Sequence, residues 1–241
     1  MEAEARVTDA QAIIVAAGQS RRMGGTKKIW MSFDSRTVLE WTLMRFKEAG
    51  VLNGVVVTRD EDVRRVQDLL AALHLAYAVT PGGEERFLSV QAGLRALPNV
   101  SPTTVVLVHD AARFLVPAEL IRQVAEAARH HGAALPVLEV PDTVKRVDSE
   151  GWVAATVPRN TLRLAQTPQG FHKAVIEAAY SRLLGQDVPT DDAEVVERAG
   201  FPVMTIPGDP INQKLTRPQD VVLMTALLNQ GGEPDAHRAG V

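Results

Sequence analysis

AIIVAAGQSRRMGGTKK, residues 12–28, is the stretch on which the fold turns. Its first six residues have the length and the Ile and Val content of a strand covered on both faces, and the run stops at Gly18 in a turn of small residues. Runs of the same kind recur at GVVVT (54–58), AYAVT (76–80), TVVLVHD (104–110), AALPVL (133–138) and PVMTIP (202–207). Between them helical spacing shows in TVLEWTLMRFKEAG (37–50), DEDVRRVQDLLAAL (60–73), RFLSVQAGLRAL (86–97) and PAELIRQVAEAARHHG (117–132), the first and last ending in Gly, a common helix stop. Strand alternating with helix predicts an α/β fold, a Rossmann-like three-layer sandwich with a mostly parallel mixed sheet. Sheets of this type bind ligands beyond the carboxyl ends of their strands, so the loops after Ala17, Thr80 and Val108 are expected to share one edge.

The alternation breaks at EVPDTVKRVDSEGWVAATVPRN, residues 139–160, where an apolar-polar pattern around Ser-Glu-Gly predicts a hairpin. A connection this long reads as an arm that leaves the main body to pair with a second subunit. Residues 1–230 are expected to form one domain and residues 231–241 a mobile tail.

Composition narrows the function. A chain of 241 residues with 46% apolar and 23% charged residues is long and apolar enough for a full core. Its net charge of −3 provides no global basic field, which argues against a nucleic-acid partner. Without cysteine there is no thiolate nucleophile or disulfide framework, and any metal must be held by oxygen or histidine. No apolar run reaches membrane-span length and the start, MEAEARVTDA, lacks the pattern of a signal peptide, so a soluble cytoplasmic protein with no membrane partner is expected.

Against that weak net charge, Arg21, Arg22, Lys27 and Lys28 fall within eight positions. A strand ending in glycine and leading into cations suits a phosphate, because backbone N–H groups can approach the oxygens while side chains neutralise the charge. The loop is neither GxxxxGK[ST] nor GxGxxG. Taken alone it is a solvated basic turn as readily as a site; at the ligand edge of a parallel sheet, anion binding is favoured.

AAGxSxRMGxxxKK resembles the signature loop of sugar-phosphate nucleotidyltransferases. PGGEERFLSVQAGL (81–94), VHDAAR (108–113), PDTVKR (141–146), RNTLRLAQTPQGF (159–171), TDDAEVVERAG (190–200) and NQKLTRPQD (212–220) narrow the resemblance to the 2-C-methyl-D-erythritol 4-phosphate cytidylyltransferases of the non-mevalonate isoprenoid pathway. That resemblance implies CTP and methylerythritol phosphate as substrates, Mg²⁺ as the ion, and a homodimer joined through the arm. It assigns Arg22 and Lys28 to the transition state at the α-phosphate. Lys27 stands where relatives commonly carry proline and, with Arg21, is expected to face solvent. Ala16, Ala17 and Gly18 would lie under the nucleotide, and Gly83, Glu84 and Ser89 would line the cytosine pocket. Asp110 would bind a ribose hydroxyl or a water on the ion, itself held mainly by triphosphate oxygens. His109 is expected to be structural. Arg113, Arg159 and Lys214 would hold the acceptor phosphate, with hydroxyl contacts from Thr143 and Thr167; Arg159 and Lys214 count among the catalytic cations. Phe114 replaces a usual proline, and Asp191 and Asp192 are expected to cap a helix.

Two other readings share part of this pattern. A cytidylyltransferase for another polyol phosphate, such as ribitol 5-phosphate, differs only in the acceptor pocket. A binding module without turnover would need no cations around a second phosphate. The chain ends soon after TRPQD, so no fused second enzyme is expected.

Overall fold

Each Val-rich or Ala-rich run becomes a strand in the computed structural model, which describes residues 9–18, 27–98, 100–182 and 188–230. In chain order the strands are β1 (Gln11–Val15), β2 (Ser32–Phe33), β3 (Arg36–Thr37), β4 (Asn53–Thr58), β5 (Ala76–Pro81), β6 (Val105–Asp110), β7 (Ala133–Glu139), β8 (Val144–Val147), β9 (Val153–Val157), β10 (Arg163–Ala165), β11 (Gln169–His172) and β12 (Met204–Pro207). The helices are α1 (Val38–Glu48), α2 (Val63–Leu73), α3 (Arg86–Ala96), α4 (Ala118–His131), α5 (Lys173–Ser181), α6 (Asp192–Arg198) and α7 (Asp220–Gln230). Local chemistry sets their ends. Thr37 opens α1 with a capping box, its hydroxyl accepting from the Glu40 amide while the Glu40 carboxylate accepts from the Thr37 amide. Gly132 closes α4 at φ 82°, the left-handed conformation that a side chain disfavours.

The main sheet has eight strands in the order β10-β7-β11-β6-β1-β4-β5, with β12 on β7. Contacts of β1 with β4 and β6, of β4 with β5, and of β7 with β12 are parallel. β10 pairs with Val137 to Glu139 and β11 with Ala133 and Ala134, both antiparallel, so the two follow one course between β7 and β6. The sheet is therefore mixed and mostly parallel. The antiparallel course was not visible in the sequence because RLAQTPQGFH lacks a Val and Ile run and is broken by Pro168.

Strand alternation distributes the core to two faces. Ile14, Val56 and Leu107 pack against α1, α2 and α4, whereas Ile13, Val55, Val57, Val106 and Val108 meet α3, α5 and α6. Each of these side chains is fully buried, a contribution of about 1.5–3 kcal/mol apiece. A third cluster joins Phe33, Phe114, Leu215 and Met224, and so ties α7 to the turn after β6. Phe114, the departure from proline, is fully buried there with its ring centre 4.7 Å from that of Phe33.

The segment after β7 forms the expected hairpin. Among the described residues β8 and β9 pair only with each other, in a separate two-stranded sheet that turns at Gly151 with φ 93°. Asp148 accepts from the amides of Glu150 and Trp152 to close the turn. Trp152, Val153 and Val147 are 71%, 63% and 56% exposed, an apolar surface left uncovered among the described residues. Among the described residues no helix is long and apolar enough to cross a membrane. The tail expected at 231–241 lies outside the described residues.

Candidate active site

β1, β5 and β6 end at one edge, as expected, and the segments that follow them enclose a cleft of about 350 Å³. Ala16, Ala17 and Gly18 continue β1 along it, held by the Ala16 amide donating to the Val57 carbonyl at 2.7 Å. Gly83, Glu84 and Ser89 supply the wall after β5, Asp110 the end of β6, and Lys28 and Lys214 enter from two further segments. Nine of the site residues proposed from the sequence thus come together. Arg22, with Arg21, lies outside the described residues.

The turn after β5 is shaped by crowding. A Cβ on Gly82 would lie 2.6 Å from Ala17 Cβ and 2.7 Å from Ser89 Oγ, so only glycine lets the two loops touch. Ser89 is buried and its hydroxyl accepts from the Gly83 amide at 3.2 Å, while Glu84 is exposed. The turn delivers the N-terminus of α3 to the cleft, an end whose amides and dipole favour anions.

At the cleft's centre Asp110 is shared by two cations. Its Oδ2 accepts from Lys214 Nζ at 2.6 Å and its Oδ1 from Arg86 Nε at 3.0 Å. Burial alone would raise the Asp110 carboxyl, but Arg86 and Lys214 outweigh it and hold the group well below the usual carboxylate range. Arg86 also donates to Asp192 Oδ2 at 2.7 Å, and Asp192 Oδ1 accepts from the Tyr180 hydroxyl at 2.6 Å. Burial opposes the charge of Arg86, yet Asp192 and Asp110 together lift its pKa well above normal. Two carboxylates and two cations therefore form a line from α6 through α3 to β6 and the segment before α7.

Arg86 lines the cleft and was missed by sequence reasoning. The available signal was its place in PGGEER, the first helical residue beyond a turn at the ligand edge. Asp192 needs correction for the same reason. Asp191 caps α6 as expected, accepting from the Glu194 amide at 2.9 Å, but Asp192 is fully buried and serves Arg86 and Tyr180 instead.

Below Asp110 lies a buried polar layer. Thr167 Oγ1 accepts from the Asp110 amide at 3.1 Å and stands 3.1 Å from His109 Nδ1. The Thr167 hydroxyl is thus directed inward, orienting Asp110 from beneath. His109 packs its ring 5.1 Å from that of Phe46, and burial pushes its pKa down to about 3, so it is neutral and structural. Because the Arg113 carbonyl 3.3 Å from Nε2 can only accept, the proton of the neutral ring sits on Nε2, and the Thr167 hydroxyl donates to Nδ1. Arg113 gives one N–H to the Asn212 carbonyl at 2.8 Å, while its buried Nε has no partner among the described residues.

Other residues stand elsewhere. Thr143 and Arg159 are exposed on the arm, outside the cleft of their own chain, and Arg159 donates to the Pro141 carbonyl. Lys27 faces solvent as expected, its side chain 39% exposed, but is ion-paired: Asp62 receives it at 3.0 and 3.1 Å and Glu61 at 3.1 Å.

Comparison with known proteins follows this geometry. The family model described as 2-C-methyl-D-erythritol 4-phosphate cytidylyltransferase matches residues 10–230. The bifunctional enzyme IspD/IspF of Rhodopseudomonas palustris is 43% identical over 240 residues, 95% of this chain and 60% of that relative, so the chain spans about three fifths of its length. A 2-C-methyl-D-erythritol 4-phosphate cytidylyltransferase of Frankia casuarinae is 42% identical over 231 residues, covering 95% of this chain and 84% of its own. Among solved structures, 4-diphosphocytidyl-2C-methyl-D-erythritol synthase from Anaerococcus prevotii superposes with TM-score 0.80 at 29% identity, covering 92% of this chain and 99% of its own. The Thermus thermophilus cytidylyltransferase gives TM-score 0.74 at 36% identity, with the same coverage of 92% and 99%.

Proposed function

The chain belongs to the 2-C-methyl-D-erythritol 4-phosphate cytidylyltransferase family, and from that premise we propose that it transfers the cytidylyl group of CTP to 2-C-methyl-D-erythritol 4-phosphate. An oxygen of the acceptor phosphate bonds to the α-phosphorus, the bridge to the β-phosphate breaks, and pyrophosphate leaves with the electron pair. The products are 4-diphosphocytidyl-2-C-methyl-D-erythritol and pyrophosphate. A phosphate monoester loses its second proton near pH ~6, so the attacking group is largely dianionic at neutral pH and needs no side-chain base. The barrier is electrostatic, two polyanions brought into line, and cations are what the site supplies.

Lys28 faces the α-phosphate, where the family resemblance also assigns Arg22; Ala16, Ala17 and Gly18 lie under the nucleotide, and Gly83, Glu84 and Ser89 hold the cytosine. Lys214 and Arg113 take the acceptor phosphate, the buried Nε of Arg113 being a donor still to be satisfied. Arg86 and Asp192 fix Asp110, which in turn aims Lys214 across the cleft. Among the described residues no three His, Asp or Glu side chains cluster as a metal cage. A lone carboxylate such as Asp110 fits Mg²⁺ that is held mainly by triphosphate oxygens and reached through water. Bound in that way, the ion would neutralise charge on the triphosphate. Through the arm, a second copy would receive Thr143 and Arg159 beside its own acceptor site, making the working unit a cytoplasmic homodimer built from one nucleotidyltransferase domain per chain.

The observation that carries this reading is the convergence of Lys28, Arg86 and Lys214 on one cleft at the sheet's ligand edge. Purified protein with CTP and Mg²⁺ should release pyrophosphate when methylerythritol phosphate is added. Release with ribitol 5-phosphate alone would replace the acceptor, and CTP binding without release would reject catalysis.

A further inference from the structure

Asp62 precedes α2 at the position from which an aspartate ordinarily caps a helix, yet its side chain makes no capping bond. It is nearly buried, and its carboxylate is turned toward the end of the cationic loop. Lys27 Nζ lies 3.0 and 3.1 Å from its two oxygens, and Trp30 Nε1 donates to Oδ1 at 3.0 Å. The Arg65 guanidinium sits 3.8 Å from the centre of the Trp30 ring and holds the indole from the other side.

The two residues gripped by Asp62 bracket Lys28. Lys28–Trp30 is one 3₁₀ turn, closed by the Trp30 amide on the Lys27 carbonyl at 3.0 Å and the Met31 amide on the Lys28 carbonyl at 3.1 Å. With both flanks fixed to the start of α2, the Lys28 side chain crosses to the Leu215 carbonyl at 3.1 Å, beside Lys214. A carboxylate and a charged donor make a strong hydrogen bond, and here the bonds of the nearly buried Asp62 carboxylate to the half-exposed Lys27 and to Trp30 replace the cap that Asp62 forgoes. Lys27 has φ −68°, the angle a proline ring would impose, so the ion pair holds by electrostatics a backbone that proline would hold covalently.

We propose that Asp62 is a positioning residue for Lys28: by clamping Lys27 and Trp30 it fixes the turn that presents the Lys28 ammonium to the nucleotide's phosphates. This rests on the cytidylyltransferase reading only in taking a nucleoside triphosphate as the partner of Lys28. Calorimetric titration of CTP with Mg²⁺ into the full chain tests it without the acceptor. Asp62→Ala should weaken CTP about tenfold, the order expected for losing a charged hydrogen bond, and should change affinity less than about twofold in a Lys28→Ala background. Its cost should also shrink in a Lys27→Pro background, where the ring fixes the flank. Equal weakening with and without Lys28, or no weakening at all, overturns the clamp. Circular dichroism checks folding of each variant; if Asp62→Ala does not fold, Lys27→Ala takes its place in the same cycle. Failure of wild type to bind CTP would overturn the reading of the cleft and the clamp together. CTP binding without turnover of methylerythritol phosphate would reject the reaction alone, and the cycle would still decide the clamp.

Discussion

Replacing Arg86 by methionine keeps most of the side-chain volume and removes the charge that two carboxylates share. Among the described residues, the fully buried Asp192 side chain then keeps only the Tyr180 hydroxyl, and the Asp110 carboxylate only Lys214. Removing one partner of a buried pair costs about 3–5 kcal/mol. The lower end applies here, because the Arg86 side chain is 26% exposed and Tyr180 still donates to Asp192. A loss of about 3 kcal/mol in a chain of this size lowers Tm by about 6–12 °C. Arg86→Met with Asp192→Asn removes the orphaned charge while leaving an oxygen for Tyr180, and should recover more than half of the lost stability. Pyrophosphate release should stay depressed in both variants, because Arg86 lines the cleft and steadies Asp110. Urea unfolding gives the stabilities and a coupled pyrophosphate assay gives the rates. A single variant that loses less than about 1 kcal/mol, or a double variant no more stable than the single, would refute the charge line.

Lys28→Ala should lower kcat by about 10²–10³-fold with an unchanged Tm, the loss expected for a group aimed at transition-state charge; near-normal turnover rejects that role. If the arm serves its neighbour, mixing and reassociating inactive Lys28→Ala and Arg159→Ala proteins should restore about a quarter of wild-type activity, since half the dimers then hold one intact site of two; no restoration places Arg159 outside the partner's site. His109, held neutral at about pKa 3, lies below the ~6.5 of an exposed histidine, so between those values the unfolded chain alone takes up the proton. Stability should therefore fall as pH drops from about 6.5 toward 3, by up to about 1.4 kcal/mol per unit. His109→Gln should flatten that slope between about pH 4.5 and 6, and an unchanged slope counts against it; Asp110, whose pKa is depressed, loses its contribution only below about pH 4.

The parallel part of the sheet was legible because its strands are buried on both faces and so must be written in apolar residues. Gln11–Val15, Asn53–Thr58 and Val105–Asp110 carry that signature, and each lies within two residues of its expected limits. The hairpin of the arm was legible for the opposite reason: solvent on its surface leaves alternation and a turn glycine in the sequence. Arg163–Ala165 and Gln169–His172 show neither pattern. They are short, and their place between β6 and β7 is set by tertiary pairing rather than by propensity.

Within the site the same division holds between what a residue is and whom it meets. Gly82 and Gly83 beside the cleft are dictated by local space, so PGG could be read directly as a tight turn, whereas no neighbouring atom crowds a Cβ at Gly18 of AAG. Cations could be counted but not paired. Arg86 and Asp192 are 106 residues apart and Lys27 and Asp62 are 35 apart, and no spacing rule for a helix or strand connects such partners. The charges that looked free in the sequence divide, once folded, into those that the protein neutralises itself and those that keep an unused donor among the described residues. Lys27 belongs to the first group, held by Asp62, whereas Arg113 has a buried Nε with no partner among the described residues. Desolvating a guanidinium without a full set of acceptors is costly, and a bound phosphate is the kind of partner that offsets that cost.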